Sequence, residues 1–580
     1  MSPVLSRASA VSAALAVAAA AGALLDRAAP LPSADVARGT EEAFARGLHP
    51  REIPPRQSPM RWTRERSSFR FRFLPRGETR IEVRIHGHRG PVAVEANGAV
   101  VGRIDPGSGG SDFLVPGFAG GTLNVALQAP VFVAGDGRRL GALLDRVSVR
   151  HALPAAASPG ALVCFAVPAA LLAGLGLLAG LGPLAAAALA VPVSAVQYLS
   201  LARGGAIRSD YAVALAVLLV AGGTVAAAFA RWTGRRHPAA PPWAFAALLG
   251  AFLVQGIVAT SPLMVVSDAM LAANKLKEAA AGQLFPTSVT QHARPFQIPY
   301  GVSFFALLAP LARAGLDPVA LVRYGAAAAG VAASAGLFAM LLPRSAPLAA
   351  LAVLFLQMLP RSFDVYSYGN FANVFGQAMS VLFFAWWAGP ARAWFCGAAL
   401  LALGGLAHLS SFLVLAALCA ALVALRFGEL RRDTPRLLAL AIGLGLGALY
   451  YAAFLPLILA QLPRIFAEGA GQGAAATPGA WSALHAQASR ALSEWGAPAI
   501  ALAAAGRPRP RSGRLEADLL AFWLAGAALC AAALASPLEV RYLYALTLPL
   551  SVAAASGFVR LAARGGAVRL LAWILLGWQS

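Results

Sequence analysis

Residues 267–301 read SDAMLAANKLKEAAAGQLFPTSVTQHARPFQIPYG. The stretch follows an apolar run ending Met264-Val265-Val266 and precedes another that opens Val302-Ser303-Phe304-Phe305. A polar hairpin between two membrane-type runs puts the chain in the polytopic helical class. Asp268 stands at the edge of the first run, where a carboxylate is costly unless it has a partner or a task. Behind it come Lys275, Lys277, Glu278, His292 and Arg294, then the turn Pro299-Tyr300-Gly301. Lys275 and Lys277 are the only lysines; every other cation is arginine. Good helix formers fill 268–281, Ser267 or Asp268 can cap the first turn, and Pro286 and Pro295 end any continuation. The pattern predicts a short helix along the membrane face and then an irregular loop. Asp268 reads either as a base for an incoming hydroxyl or as a capping acid at the lipid interface.

The 580 residues are 59% hydrophobic and 12% charged, with mean hydropathy +0.67. Soluble domains are less apolar and about twice as charged, so a bilayer solvates much of this surface. The formal charge of +22 sits mostly in short Arg segments flanking apolar runs. That is a topology signal and excludes a nucleic-acid footprint. Cys164, Cys396, Cys419 and Cys530 all fall inside apolar runs without metal or disulfide spacing.

Residues 1–30 hold an apolar run behind Arg7, which reads as an uncleaved anchor in preference to a signal peptide. Between 50 and 152 the text alternates, as in Phe69-Arg70-Phe71-Arg72-Phe73 and Ile81-Glu82-Val83-Arg84-Ile85, with Asn97-Gly98 as a hairpin turn. Short strands parted by Gly and Pro predict an extracytoplasmic β-sandwich, either a glycan-binding module or a spacer. Residues 157–242 carry additional spans and 243–580 a helical core with the outer loop 267–300. The fold class expected is an α-helical membrane protein of about 13–14 spans with an inserted all-β sandwich. One of those spans is 301–315, whereas 346–359 is too short to cross and is expected to be partly inserted. Basic loops at 231–236, 427–436 and 507–514 read as cytoplasmic. Counting spans from them puts four polar clusters on the outer face: the Asp268 hairpin, 364–377, His408 and Glu539-Arg541.

The second cluster, Asp364, Tyr366, Tyr368, Asn370, Asn373 and Gln377, interleaves aromatics with amides. Flat faces and bidentate amides suit sugar hydroxyls; the same residues also suit an aromatic belt at a helix start. His408 interrupts an apolar stretch, as a satisfied core histidine or as a functional one. Arg541, between Glu539 and Tyr542, offers a fork that matches phosphate oxygens, or else an ion pair with Glu539.

This layout resembles the GT-C superfamily of polytopic glycosyltransferases. The likeness rests on Val266-Ser267-Asp268 after a span, the helix 269–281, Ile298-Pro299-Tyr300-Gly301 leading into the next span, Ala407-His408 between short spans, and Arg541-Tyr542. It covers about residues 243–578. It implies inverting transfer of a sugar from a polyprenyl-phosphate donor to a glycan, lipid or protein acceptor of the cell envelope. The setting implied is the extracytoplasmic face of a bacterial inner membrane. Asp268 would be the catalytic base, with Arg541, Lys275 and Lys277 at the donor phosphate. His292, Arg294, Tyr300, Asp364, Tyr368, Asn370, Asn373, Gln377, His408, Glu539 and Tyr542 would line the substrate. The outer loop begins with one acid where an acidic pair would hold a divalent metal, so a divalent metal is left open without an acidic pair to support it and no other cofactor is assigned. Two other readings fit a polytopic chain: a transporter or flippase, and an envelope-polysaccharide polymerase or ligase using Arg464 and His485 in the loop 459–491.

Overall fold

The structure is a computed structural model. It describes residues 3–28, 33–35, 45–49, 60–74, 77–135, 137–151, 159–202, 208–260, 269–289, 297–359, 366, 369–389, 393–461, 463, 489, 492, 495–506, 515–524 and 547–579. The chain forms two compact units, Met1–Ala227 with Thr260–Met264, and Ala228–Ala259 with Val265–Ser580.

In the first unit, helix α1 (Pro3–Ala28) precedes the strands β1 (Ser33–Asp35), β2 (Ala45–Leu48), β3 (Arg61–Leu74), β4 (Thr79–Gly87), β5 (Val92–Ala96), β6 (Ala99–Ile104), β7 (Gly110–Val115), β8 (Gly121–Gln128), β9 (Phe132–Val133), β10 (Arg139–Leu140) and β11 (Leu143–His151). Nine of them make one antiparallel sheet in the order β6-β5-β8-β3-β11-β4-β7, with β1 on β11 and β2 on β3. The β3–β11 step is narrow, with only Trp62 paired to Leu143 and Arg61 to Leu144 among the described residues. The two ends of the sheet approach so closely that a Cβ on Gly102 would overlap the Phe113 ring. A nearly closed sheet leaves little open edge for unwanted pairing.

Alternation explains the core. Phe69, Phe71, Ile81, Val83, Val92, Val94, Leu123, Val125, Leu127, Val147 and Val149 are all 0% exposed, as a side-chain period of two requires. A register shift between Phe71 and Leu74 returns Leu74 to the interior three residues later, which is the work of a bulge. Asn97 and Gly98 both have positive φ and join β5 to β6, the backbone that a two-residue hairpin turn needs. Helices α2 (Pro159–Leu178), α3 (Pro183–Ala188), α4 (Ala190–Ala202) and the start of α5 (Arg208–Gly234) follow. Ala14 and Ala18 of α1, Phe165 of α2 and Tyr211 of α5 belong to the same buried cluster as the sheet interior.

The second unit contains α6 (Pro241–Thr260), α7 (Ala269–Ala280), β12 (Thr287–Val289), β13 (Gln297–Pro299), α8 (Ser303–Arg313), α9 (Pro318–Leu341), α10 (Ala346–Met358), α11 (Phe371–Ala388), α12 (Trp394–Gly405), α13 (Leu409–Leu430), α14 (Thr434–Ala452), α15 (Ala497–Gly506), α16 (Thr547–Ala562) and α17 (Gly566–Gln579). Among the described residues, six helices are long and apolar enough to cross a membrane: Tyr211–Gly234, Pro241–Thr260, Pro318–Leu341, Phe371–Ala388, Leu409–Leu430 and Thr434–Ala452. Capping is written locally. Asp317, Ser345 and Asp433 each accept a backbone N–H of the helix that follows, and proline occupies its first or second position.

One expectation changes and one holds: 346–359, expected to be too short to cross, is among the shorter apolar helices. The segment 301–315 forms a helix of 11 residues, about 16 Å long and too short to cross alone. The segment 346–359 forms a helix of 13 residues that runs back along α9: Arg344 at its start pairs with Glu516 at 2.6 Å, while the Tyr366 hydroxyl beyond its end donates to the Arg323 carbonyl near the start of α9 at 2.9 Å. Tyr366 and the start of α11 lie toward the Tyr300 and His408 end of the bundle, as the Tyr366–Arg323 and Ser411–Asn373 bonds and the Tyr300–His408 contact place them. The other end gathers cations. Arg344, Glu516 and Arg560 line one cleft, and Arg236, Pro343 and Gly389 line another. Arg436, buried at 5% exposure, donates to the Trp387 carbonyl at 2.7 Å and to the Gly389 carbonyl at 2.6 Å. It also pairs with Asp433, so a cation closes the C-terminal end of α11, where the helix dipole favours one.

Glu82, 7% exposed, is the electrostatic centre of the β4–β11 face. It accepts from Arg84 at 2.8 Å, Ser148 at 3.0 Å and Arg150 at 2.7 Å. Burial alone would raise its pKa, but the hydrogen bonds from Arg84 and Ser148 and the charges of Arg150 and Arg84 outweigh it and hold the value below 4.5. A lowered carboxylate stabilises the fold fully above its unfolded value, and that contribution disappears as pH falls through the folded value. Glu82→Gln should therefore increase amide exchange in β4 and β11 at pH 7. The difference from the natural chain should vanish well below pH 4.5; equal exchange at pH 7 would refute the assignment.

Candidate functional site

Three of the polar clusters anticipated in the sequence meet inside the second unit. The first is the hairpin. Helix α7 buries Ala269, Ala272, Ala273, Lys275, Leu276 and Ala279 on one face and exposes Lys277. Lys275 Nζ donates to both oxygens of Glu278 at 3.0 and 2.7 Å and to the Thr287 carbonyl at 2.8 Å. An ammonium has three donors, so Lys275 is engaged in tying α7 to β12. The loop that follows is more regular than the prolines suggested: Thr287–Val289 pairs antiparallel with Gln297–Pro299. Gln461 clasps the Gln297 backbone, accepting its N–H at 2.7 Å and donating to its carbonyl at 3.0 Å. Tyr450 stacks on Phe285 with centroids 5.3 Å apart, and its hydroxyl bonds to the Tyr300 carbonyl at 2.8 Å.

The second cluster is the break at His408. The N–H groups of Val302 and Ser303, at the start of α8, both donate to the Leu406 carbonyl at 2.8 and 3.1 Å. The Ser303 hydroxyl donates to the Leu403 carbonyl at 2.7 Å. The backbones are so close that a Cβ on Gly301 would overlap the Ala407 carbonyl. This approach sets the Tyr300 ring edge-on to His408, with centroids 5.9 Å apart. His408 caps α13: its Nδ1 accepts from the Ser410 N–H at 3.2 Å and the Ser410 hydroxyl at 2.7 Å. An accepting Nδ1 puts the proton of a neutral imidazole on Nε2.

The third cluster is the α11 face. Asn370 occupies the N-cap position, and Asn373 and Gln377, four residues apart, share one side of the helix. Ser411 donates to Asn373 Oδ1 at 3.0 Å, while Asn373 Nδ2 and Gln377 Nε2 are buried without a hydrogen-bond partner. Asp268, His292, Arg294, Asp364, Tyr368, Glu539, Arg541 and Tyr542 lie outside the described residues, as do Arg464 and His485.

Asn373, Gln377, Ser410 and Ser411 form one wall of a cavity of about 100 Å³. Its opposite wall holds residues that sequence reasoning passed over. Gln255 donates to Gln357 at 2.7 Å, Gln357 donates to Ser334 at 2.7 Å, and Ser334 donates to the Gly330 carbonyl at 3.0 Å. A signal was present: Gln255 in LVQGI and Gln357 in FLQML each interrupt an apolar run, where an uncompensated amide is costly. Comparison with family models, with curated proteins and with solved structures returned no match.

Gly301→Ala should destabilise the chain by about 1–3 kcal/mol through overpacking against Ala407. It should also speed amide exchange at Val302 and Ser303. Unchanged exchange at those two amides would show that the close approach does not hold the turn.

Proposed function

We propose that this chain is an inverting glycosyltransferase that moves a sugar from a polyprenyl-phosphate donor to a cell-envelope acceptor, on the extracytoplasmic face of a bacterial inner membrane. The observation that carries the reading is a run of contacts: the Tyr300 ring meets His408, and Ser410 and Ser411 just after it join the Asn373–Gln377 face in lining a cavity whose polar groups are amides and hydroxyls. Sugar hydroxyls are recognised by such groups, and Tyr366 lines the same cavity. The concentration of arginines at the opposite end of the bundle supports an outward-facing site, by the cytoplasmic preference of Lys and Arg.

In this mechanism Asp268, directly before α7, takes the proton from the acceptor hydroxyl. The acceptor oxygen forms a bond to the anomeric carbon as that carbon's bond to the donor phosphate oxygen breaks, and polyprenyl phosphate leaves. One displacement inverts the centre. The leaving phosphate needs positive charge; Arg541 and the exposed Lys277 are the cations assigned to it, while Lys275 fixes the hairpin that carries Lys277.

Purified chain should transfer label from a panel of polyprenyl-phosphate sugars, and Asp268→Asn should lose transfer by about a hundredfold or more with an unchanged thermal melt. Equal transfer by a well-folded Asp268→Asn would remove this base. Absence of transfer from every donor, together with donor movement between leaflets of a vesicle, would favour the flippase reading.

A further inference from the structure

The cavity against α11 has an unusual wall. Its polar lining consists of amides and hydroxyls, and among the described lining residues the only ionisable one is Tyr366, whose hydroxyl is engaged with the Arg323 carbonyl at 2.9 Å. Arginine, lysine, aspartate and glutamate are all missing from that described lining. Yet three polar atoms on it lack partners among the described residues: Asn373 Nδ2, Gln377 Nε2 and Thr547 Oγ1. Asn373 is 2% and Thr547 7% exposed. Ser411 engages only one end of the Asn373 amide, so either orientation of that amide leaves a polar atom facing the cavity.

From this we infer that the cavity is a subsite for an uncharged, hydroxyl-rich group, and that it selects neutral sugars against acidic ones. The inference rests on the glycosyltransferase reading for the identity of the ligand as a donor sugar. The physical argument has two halves. An unpaired buried amide or hydroxyl is unfavourable, so an occupant that brings oxygen acceptors gains what an acyl chain or alkanol cannot offer. A carboxylate would bring acceptors too, but it would enter an apolar bundle with no cation among the described lining residues to meet it, and an uncompensated buried charge is strongly disfavoured. The space suits the ligand: about 100 Å³ holds roughly seven to ten waters, near the bulk of a hexose. Gln377 and Asn373 are the specificity residues, and the Gln255–Gln357–Ser334 chain, already satisfied within itself, keeps the facing wall rigid and neutral.

The test uses full-length protein in lipid nanodiscs and equilibrium dialysis with three labelled probes sharing one tail: hexyl glucoside, hexyl glucuronide and hexanol. Saturable binding of the glucoside is expected, with glucuronide and hexanol each weaker by at least about tenfold. Gln377→Met, which keeps the side-chain length and breaks no hydrogen bond seen here, should weaken the glucoside about tenfold and leave hexanol unchanged. Asn373→Leu should do the same, with a thermal melt to check folding, since it also releases Ser411. Equal binding of glucoside and glucuronide, equal binding of glucoside and hexanol, unaltered glucoside binding in Gln377→Met, or no saturable glucoside binding would each overturn the inference. Those results are separable from failure of the enzymatic reading: transfer by the natural chain that Gln377→Met leaves intact removes the subsite and keeps the enzyme. Glucoside binding that follows the expected pattern in a chain without transfer does the reverse.

Discussion

A single backbone carbonyl, that of Leu406, receives the N–H groups of Val302 and Ser303, and the architecture around the site depends on that junction. Helix ends leave unpaired N–H groups at one terminus and unpaired carbonyls at the other. Inside an apolar bundle water does not make up the deficit, so a broken helix survives only where another break complements it. Here the start of α8 supplies donors and the end of α12 supplies an acceptor. Gly301 permits the approach because a methyl group would meet the Ala407 carbonyl. Once the two breaks are locked together, Tyr300 and His408 have no freedom to part.

The same constraint organises the helices behind the junction. Gly376 and Gly404 let α11, α12 and α13 come close, with the Ser411 side chain filling the space beside Gly376. Small residues at such contacts replace the hydrophobic drive that lipid cannot provide. Polar side chains then bond across the seams: Ser411 to Asn373, Ser303 to Leu403, Tyr451 to the Gly405 carbonyl at 3.1 Å. Each bond satisfies a group that would otherwise be stranded.

Charge is handled at the periphery and neutrality in the interior. Arg436 is buried, but it lies across carbonyls at the end of α11 and beside Asp433. Lys275 is buried, but against Glu278 and Thr287. Arg426 lies 3.4 Å from Asp518, which is 0% exposed. The α11 cavity differs in kind, because, Tyr366 apart, its described polar lining is built from amides and hydroxyls that carry no charge. A bundle that neutralises its cations at the helix ends is free to keep an uncharged chamber between them.

Much of this was legible in the sequence because it is local. The alternation at Phe69–Phe71 and Ile81–Val83 reads directly as a half-buried strand, and Asn97-Gly98 as its turn. Each depends on neighbours within a few residues. The apolar runs with basic flanks read as membrane helices for the same reason. The short helix after Asp268 is equally local, since one amphipathic face and one capping position suffice. The sequence also singled out Tyr300, Asn373, Gln377 and His408 as polar residues in unlikely places. It did not show that Gly301 touches Ala407, 106 positions later in the chain, or that Gln255 bonds to Gln357. Nor did it show that α8 stops short while α10 runs back along α9. Those facts depend on which helix lies beside which, and side-chain periodicity along one segment carries no record of the neighbour it will meet. Residue chemistry and period determined the elements and their polar exceptions; only the tertiary structure decided which exceptions face each other, because burial forces distant polar groups to find one another.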